Sequence, residues 1–260
     1  MNGLRSRIIP SLLMDEGRLV KTKQFSDPKY VGDPINAVKI FNEKEVDELS
    51  LFDISAWRGG GPNYKLLEKI SKEARMPLCY GGGITEVEQA ARIVSLGFEK
   101  VSISRAALLR PELVQEVAAR IGSQSTVVTL DTKKNSWLAG WTVLTENGKK
   151  KVGESLENLL EKFQMLGAGE FVLNSIDREG QLAGYDLALA DLLARTVSTP
   201  ITMLGGAGSI AHMEALERMV GVVGAAAGSF FVFKGVHRAV LISYSKPSYS
   251  ADYQHSQVTK

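Results

Sequence analysis

Three segments of the chain recur in the same order at nearly one spacing. Glu48-Leu-Ser-Leu-Phe corresponds to Glu170-Phe-Val-Leu-Asn, Pro77-Leu-Cys-Tyr-Gly-Gly-Gly to Pro200-Ile-Thr-Met-Leu-Gly-Gly, and Gly97-Phe-Glu-Lys-Val-Ser-Ile-Ser to Gly221-Val-Val-Gly-Ala-Ala-Ala-Gly, at offsets of 122, 123 and 124 residues. The repeated segments belong to a longer alternation. Eight β-rich runs, Arg7–Leu13, Glu48–Ile54, Pro77–Tyr80, Lys100–Ser104, Thr126–Asp131, Glu170–Asn174, Pro200–Leu204 and Val222–Ala227, are separated by amphipathic patterns such as Asn63–Ala74, Glu86–Leu96, Leu156–Leu166 and Ile210–Met219. Runs that are apolar almost throughout suit parallel strands covered on both faces, and strand–helix alternation implies right-handed crossovers. A duplicated set of four βα units is hard to place on an open sheet and natural on a ring. The expectation is therefore an α/β protein, a (β/α)8 TIM barrel made of two similar halves. The 260 residues suit one such barrel of about 250, spanning 1–244. Residues 245–260, rich in Ser, Tyr and Lys without periodicity, read as a flexible tail. Lys133–Lys151 reads as an inserted hairpin turning at Glu146-Asn-Gly.

Composition excludes several classes. One cysteine and three histidines argue against a Cys/His metal cluster, and Cys79, in an apolar run, reads as a buried inert thiol. A net charge of +2 gives no drive toward nucleic acid or membrane. With no signal-like segment before Pro10 and no apolar stretch of spanning length, the expected compartment is the cytoplasm. No cofactor is implied.

Barrel enzymes place their chemistry at the C-terminal ends of the strands. Two glycine clusters fall there at equivalent positions of the repeat, one containing Gly82 and Gly83, the other Gly206 and Gly208, and the eighth strand ends in Gly228-Ser229. Glycine lets backbone N–H groups approach a phosphate, and it also simply turns tight corners. Two equivalent clusters favour two phosphate sites. The first carries Ser104-Arg105 where the second has Gly228-Ser229, and Arg105 either binds a phosphate or fills its place. Asp53 and Asp131 end the second and fifth strands, Asp177 follows the sixth, and Lys21 lies after the first, all candidates for acid–base or anion-binding roles. At the opposite end, Arg7, Glu48, Lys100 and Glu170 start four strands. On residues alone this ring is either a set of salt bridges or something more.

Taken together, these motifs resemble the HisF family, the cyclase subunit of imidazole glycerol phosphate synthase. The resemblance rests on Arg7-Ile-Ile-Pro10, Gly17-Arg-Leu-Val-Lys21, Gly32-Asp-Pro34, Asp47-Glu-Leu49, Gly81-Gly-Gly-Ile84, Lys100-Val-Ser-Ile103, Gly122-Ser-Gln124, Ser175-Ile-Asp-Arg178, Gly184-Tyr-Asp186 and Gly205-Gly-Ala-Gly208. It implies a HisH-like glutaminase partner docked at the N-terminal face and ammonia passing a charged gate into the barrel. The gate positions fall on Arg7, Glu48, Lys100 and Glu170. The family's two catalytic aspartates fall on Leu13 and Asp131, so one is replaced, and Ser104-Arg105 stands where the family has Asn-Thr. The stretches Lys21–Ala37, Phe41–Asp47 and Phe233–Tyr244 are most similar to the glycosyl amidation-associated, WbuZ-type branch. That likeness implies work beside a glutaminase and an ATP-dependent amidotransferase, on a phosphorylated or nucleotide-linked sugar that gains an acetamidino group. The competing readings are a histidine-pathway cyclase that tolerates Leu13 and a non-catalytic scaffold that activates the glutaminase.

Overall fold

The structure, a computed structural model, describes residues 5–136, 139–235 and 237–245. The expected tail, apart from Ser245, lies outside the described residues. Eight parallel strands form a closed ring: β1 (Arg7–Asp15), β2 (Leu49–Asp53), β3 (Leu78–Gly81), β4 (Lys100–Ile103), β5 (Thr126–Lys134), β6 (Glu170–Ser175), β7 (Ile201–Leu204) and β8 (Gly224–Ala227). Closure is made where β1 pairs with β2, Ser11 opposite Ser50, and with β8, Arg7 opposite Gly224. The two halves meet along β4 and β5, where Val101 lies opposite Thr126, and again along β8 and β1. The expected (β/α)8 barrel is the observed architecture.

Local sequence explains the helices around it. Asp33, Asn63, Ser155, Asp186 and Ser209 each accept a backbone N–H of the first turn, opening helices Pro34–Glu43, Tyr64–Glu73, Leu156–Met165, Leu187–Thr196 and Ile210–Val220. Such caps are each worth about 1 kcal/mol. Val87–Ser95 begins with a capping box of Glu86 and Gln89 and stops before Gly97, whose φ of +107° no L side chain adopts readily. Each helix buries a stripe on the strands. In Tyr64–Glu73 it is Leu67 and Ile70, where full burial contributes about 1.5–3 kcal/mol per side chain.

Two departures from plain barrel geometry shape the mouth. β1 continues past the rim and pairs antiparallel with Arg18–Lys23, which pairs with Ser26–Gly32. The insert after β5 is not a free-standing hairpin. β5 itself runs on to Lys134, and Trp141–Thr145 pairs along that projecting edge, Asp131 opposite Leu144, before the turn at Glu146 and Asn147. An edge extended beyond the ring leaves backbone groups that this strand satisfies. After β8 the described residues form a four-residue helix, Ser229–Val232, a short hairpin and an extended segment, not a long eighth helix. Tyr244 packs on Phe231 and donates from its hydroxyl to Ile8 O at 3.1 Å, and Leu241 N and Ser243 N donate to Val232 O and Phe231 O, so an extended strap lies against the short helix and the start of β1.

Inside the ring a small apolar cluster of Ile9, Cys79, Val127, Val172, Leu204 and Ala226 is separate from the larger core between strands and helices. Strand alternation places it between the ring of charges below and the hydroxyls of Ser102 and Thr129 above. β8 carries glycine where it passes β7, because a Cβ at Gly224 would lie 1.9 Å from Thr202 Oγ1. Gly224→Ala is therefore expected to lower stability by roughly 1–3 kcal/mol, measured by urea unfolding, and adding Thr202→Ala should recover part of the loss.

Candidate functional site

The N-terminal mouth is closed by four ionised side chains from β1, β4, β6 and the residue before β2. Arg7 reaches Glu48 at 2.5 Å and Glu170 at 2.7 Å, and Lys100 reaches the same two carboxylates at 2.8 and 2.9 Å. Charges alternate in sign around the axis. Thr202 donates a further hydrogen bond to Glu170. Burial opposes the charged forms of Lys100 and Arg7, yet the attraction of the carboxylates wins, and both cations are held above their ordinary pKa. Burial likewise raises Glu170, and Arg7 and Lys100 overturn that and bring it below the usual value. Arg7, Lys100 and Glu170 therefore stay ionised through neutral pH. The ring's contribution falls away in acid as Glu170 protonates and in strong base as Lys100 deprotonates. Cys79, just above, is buried, and burial pushes its thiol well up, which makes it unreactive.

At the other end lies a cavity of about 450 Å3 on the side of the first half-barrel. Leu13, Phe25, Phe52, Trp57 and Ile84 give it an apolar wall. Asp53, Gly82, Gly83, Ser104, Arg105, Asp131 and Glu146 supply the polar groups. Gly82 and Gly83 are required there by packing as well, since a Cβ at either would meet the 53–56 segment at 2.7–2.9 Å. A second cavity of about 30 Å3, room for about one water, lies on the side of the second half, lined by Ser11, Leu13, Lys21, Glu179, Gly206, Gly228 and Ser229. The hydroxyls of Ser11 and Ser229 are buried there without a hydrogen-bond partner among the described residues.

Asp131 stands at the top of β5, facing the first cavity and accepting a 2.9 Å hydrogen bond from Asn174 Nδ2. Burial pushes its carboxyl up to about 6; the bond from Asn174 works against that rise, and the charge of Glu179 adds to it. A carboxyl with that affinity exchanges protons near neutral pH, as general acid–base work requires. Leu13 lines both cavities and carries no proton-transferring group. Lys21 is buried. Burial depresses its pKa, Glu179 partly offsets this, and Arg238 adds to the depression. The ammonium uses the space left by Gly228, where a Cβ would sit 1.9 Å from Nζ.

The other candidates are placed differently. Asp53 lines the first cavity, but its Oδ1 is occupied by Ser55 N, Ser55 Oγ and Ala56 N, capping a short turn. Asp177 lines neither cavity; it accepts a 2.7 Å bond from Lys134 N and so ties the base of the insert to the loop after β6. Gly208 also lies outside both cavity walls, and its N–H donates to His212 Nδ1 at 3.1 Å. Gly206 is held by the 184 loop, where a Cβ would meet Gly184 O at 2.1 Å.

Residue reasoning passed over Asn174, Glu179, Trp57 and Glu146. Asn174 was accessible by counting in twos from Glu170 along β6. The other three sit on loops, where no periodicity reports direction. Among the described residues, no cluster of His, Cys, Asp and Glu is placed to hold a metal, and no helix is long and apolar enough to cross a membrane.

A buried carboxyl with a raised pKa weakens the fold as pH rises. Wild-type stability falls between the ordinary Asp value and about 6. Asp131→Asn is therefore expected to be more stable than wild type by about 1–3 kcal/mol at neutral pH, with the gain gone near pH 4 in parallel urea titrations.

A sequence model described as histidine biosynthesis protein matches residues 7–237. A Leptospira borgpetersenii protein, provisionally named imidazole glycerol phosphate synthase subunit HisF, is 52% identical over 242 residues, 93% of this chain and 95% of that one. A Vibrio vulnificus protein, provisionally named as subunit hisF3 of the same synthase, is 52% identical over 246 residues, 94% and 95% of the two chains. The Oceanobacillus iheyensis imidazole glycerol phosphate synthase subunit HisF is 39% identical over 212 residues, 81% and 83% of the two. With a closed barrel, a four-charge ring below and Asp131 at the mouth, and with these matches over most of its length, the chain belongs to the histidine biosynthesis protein family, among the HisF-like barrels.

Proposed function

We propose that this barrel is the synthase subunit of a glutamine amidotransferase system. It takes ammonia from a HisH-like glutaminase at its N-terminal face and delivers it for amidation of a surface-polysaccharide sugar, giving an acetamidino group. An ATP-dependent amidotransferase is the third participant. The observation that carries this reading is the pairing of an intact charge ring with Leu13. The machinery for admitting a small molecule is whole, while the acid–base pair for ring formation has lost one member. Neutral ammonia suits the apolar layer of Ile9, Val127, Val172 and Ala226, where an ammonium ion would lose its hydration without recompense.

Partner docking at that face has its own support. Met165 and Met219 lie in the last turns of their helices and Val222 just beyond the second, at the end of the barrel where helices lead into strands, and they are 82%, 50% and 55% exposed. Such side chains at one end suit a covered interface. The substrate reading rests on the mouth. Gly82, Gly83, Ser104 and Arg105 would take an anionic group on one side, and Lys21, Gly206, Gly228 and Ser229 would take one on the other. Together they suit a phosphorylated or nucleotide-linked sugar.

A histidine-pathway cyclase is the second reading, favoured by Asp131 and its raised pKa. Complementation separates the two. The protein is expected not to rescue a histidine auxotroph lacking the cyclase at ordinary expression, since loss of one acid–base partner costs about 10²–10⁴ in rate; rescue would overturn the amidation reading.

The ring is tested by coupling. Lys100→Ala leaves Glu48 and Glu170 with one cation, which costs about 3–5 kcal/mol where the pair is buried and less where water reaches it. In the system reconstituted with its glutaminase, Lys100→Ala and Glu170→Gln are expected to release more glutamate per amidated product than wild type. An unchanged ratio in folded, partner-bound variants would reduce the barrel to a scaffold that activates the glutaminase.

A further inference from the structure

The hairpin that follows β5 places a carboxylate against the cation of the first half-site. Arg105 lines the large cavity together with Gly82, Gly83 and Ser104, its guanidinium 5.6 Å from the Trp57 ring. Its nearest ionic partner is Glu146 Oε1, 3.6 Å from Nε, inside ion-pair range and beyond hydrogen-bond range. The Arg105 Nε is buried and has no hydrogen-bond partner among the described residues. Glu146 also lies 3.9 Å from Lys150 on its own hairpin. The guanidinium is thus neutralised but left with an unmet donor, the state an incoming oxyanion with two acceptor atoms would improve.

That carboxylate is carried on the turn of the hairpin, at the end away from its anchored base. Its base is pinned, with Val143 buried and Trp141 Nε1 donating to Asp186 Oδ2 at 2.9 Å. Its tip is not. Glu146 and Asn147 hold φ values of +54° and +56°, which L residues seldom adopt, and Gly148 faces only the apolar side chains of Phe25 and Ile176. Phe25 belongs to the loop after β1, so the two rim hairpins touch tip to tip above the cavity.

We propose that Glu146 is an internal occupant of the first anion site, resting on Arg105 until an oxyanion of the ligand displaces it and releases the hairpin tip. The proposal rests on the reading that the Arg105 side of the mouth takes an anionic group, and it adds that the protein's own carboxylate sits against that cation until the group arrives. Ligand arrival and opening of the insert then become one event. The ligand group is a phosphate or a carboxylate, both of which match the fork of an arginine.

The experiment uses the full chain, with inorganic phosphate and acetate as separate probes. Affinity is read by calorimetry and tip motion by amide hydrogen exchange at residues 146–149. Wild type is expected to bind one of the two anions and to exchange faster at the tip when saturated. Glu146→Gln should bind that anion about two- to fivefold tighter, the range of an exposed ion pair, and exchange fast at the tip without it. Arg105→Gln should lose the binding. Binding retained in Arg105→Gln would overturn both the anion site and the latch. Binding lost in Arg105→Gln, with unchanged affinity in Glu146→Gln and an unmoved tip in wild type, would leave the site standing and overturn the latch.

Discussion

The barrel is closed at its N-terminal end by Arg7, Glu48, Lys100 and Glu170, and the arrangement above them depends on that closure. Two cations bridge two carboxylates with four contacts of 2.5–2.9 Å. Taking these groups from water costs several kcal/mol each, and well-packed apolar residues would fill the same space at equal or better stability. A ring of charges is therefore a poor plug if stability is the only demand. What it offers is a polar constriction that is neutral overall, with an apolar layer directly over it. The glycine at 224 and the hydroxyl of Thr202 belong to the same arrangement, one making room and the other satisfying Glu170.

Above the ring the two halves, alike in backbone, differ in use. The first half opens a cavity of about 450 Å3, whereas its counterpart has shrunk to about 30 Å3 around Lys21. The difference comes from what the rim loops deliver. Lys21 enters the second site through the space at Gly228, and Glu179 accompanies it. On the first side Arg105 stays at the edge, between Trp57 and Glu146. Acid–base capacity is similarly lopsided: Asp131 is raised by burial toward neutral, and Leu13, also at the mouth, offers a methyl-bearing wall. Duplication supplied a symmetric frame, and the side chains on the rim have broken that symmetry into one open and one filled half.

Much of this was legible in residue order. The strand starts, the helix caps and the hairpin turn are local properties: a period of two, a short polar side chain before an apolar stripe, residues tolerant of positive φ. The helix read as Asn63–Ala74 proves to be Tyr64–Glu73 with those two residues as its caps. The insert was less legible because its first strand is the end of β5, and nothing in Thr132-Lys-Lys announces that a barrel strand continues beyond the ring. The strap at 241–245 escaped for a related reason, as an extended segment packed by Ile242 and Tyr244 has no helical or alternating signature.

By itself the sequence determined the closed ring of eight strands, its duplication, and the end of the barrel at which each charged or glycine-rich position stands, because strand direction and alternation carry a residue's number directly into its place. Only the tertiary structure decided which of those groups meet and what their meeting does. Lys21 shares a cavity with Glu179, and Arg105 faces Glu146, across distances in sequence that no periodicity links. The raised carboxyl of Asp131 and the depressed ammonium of Lys21 follow from burial among those neighbours. Desolvation and Coulomb interaction depend on separation in space, which is set when strands far apart in the chain become adjacent in the ring.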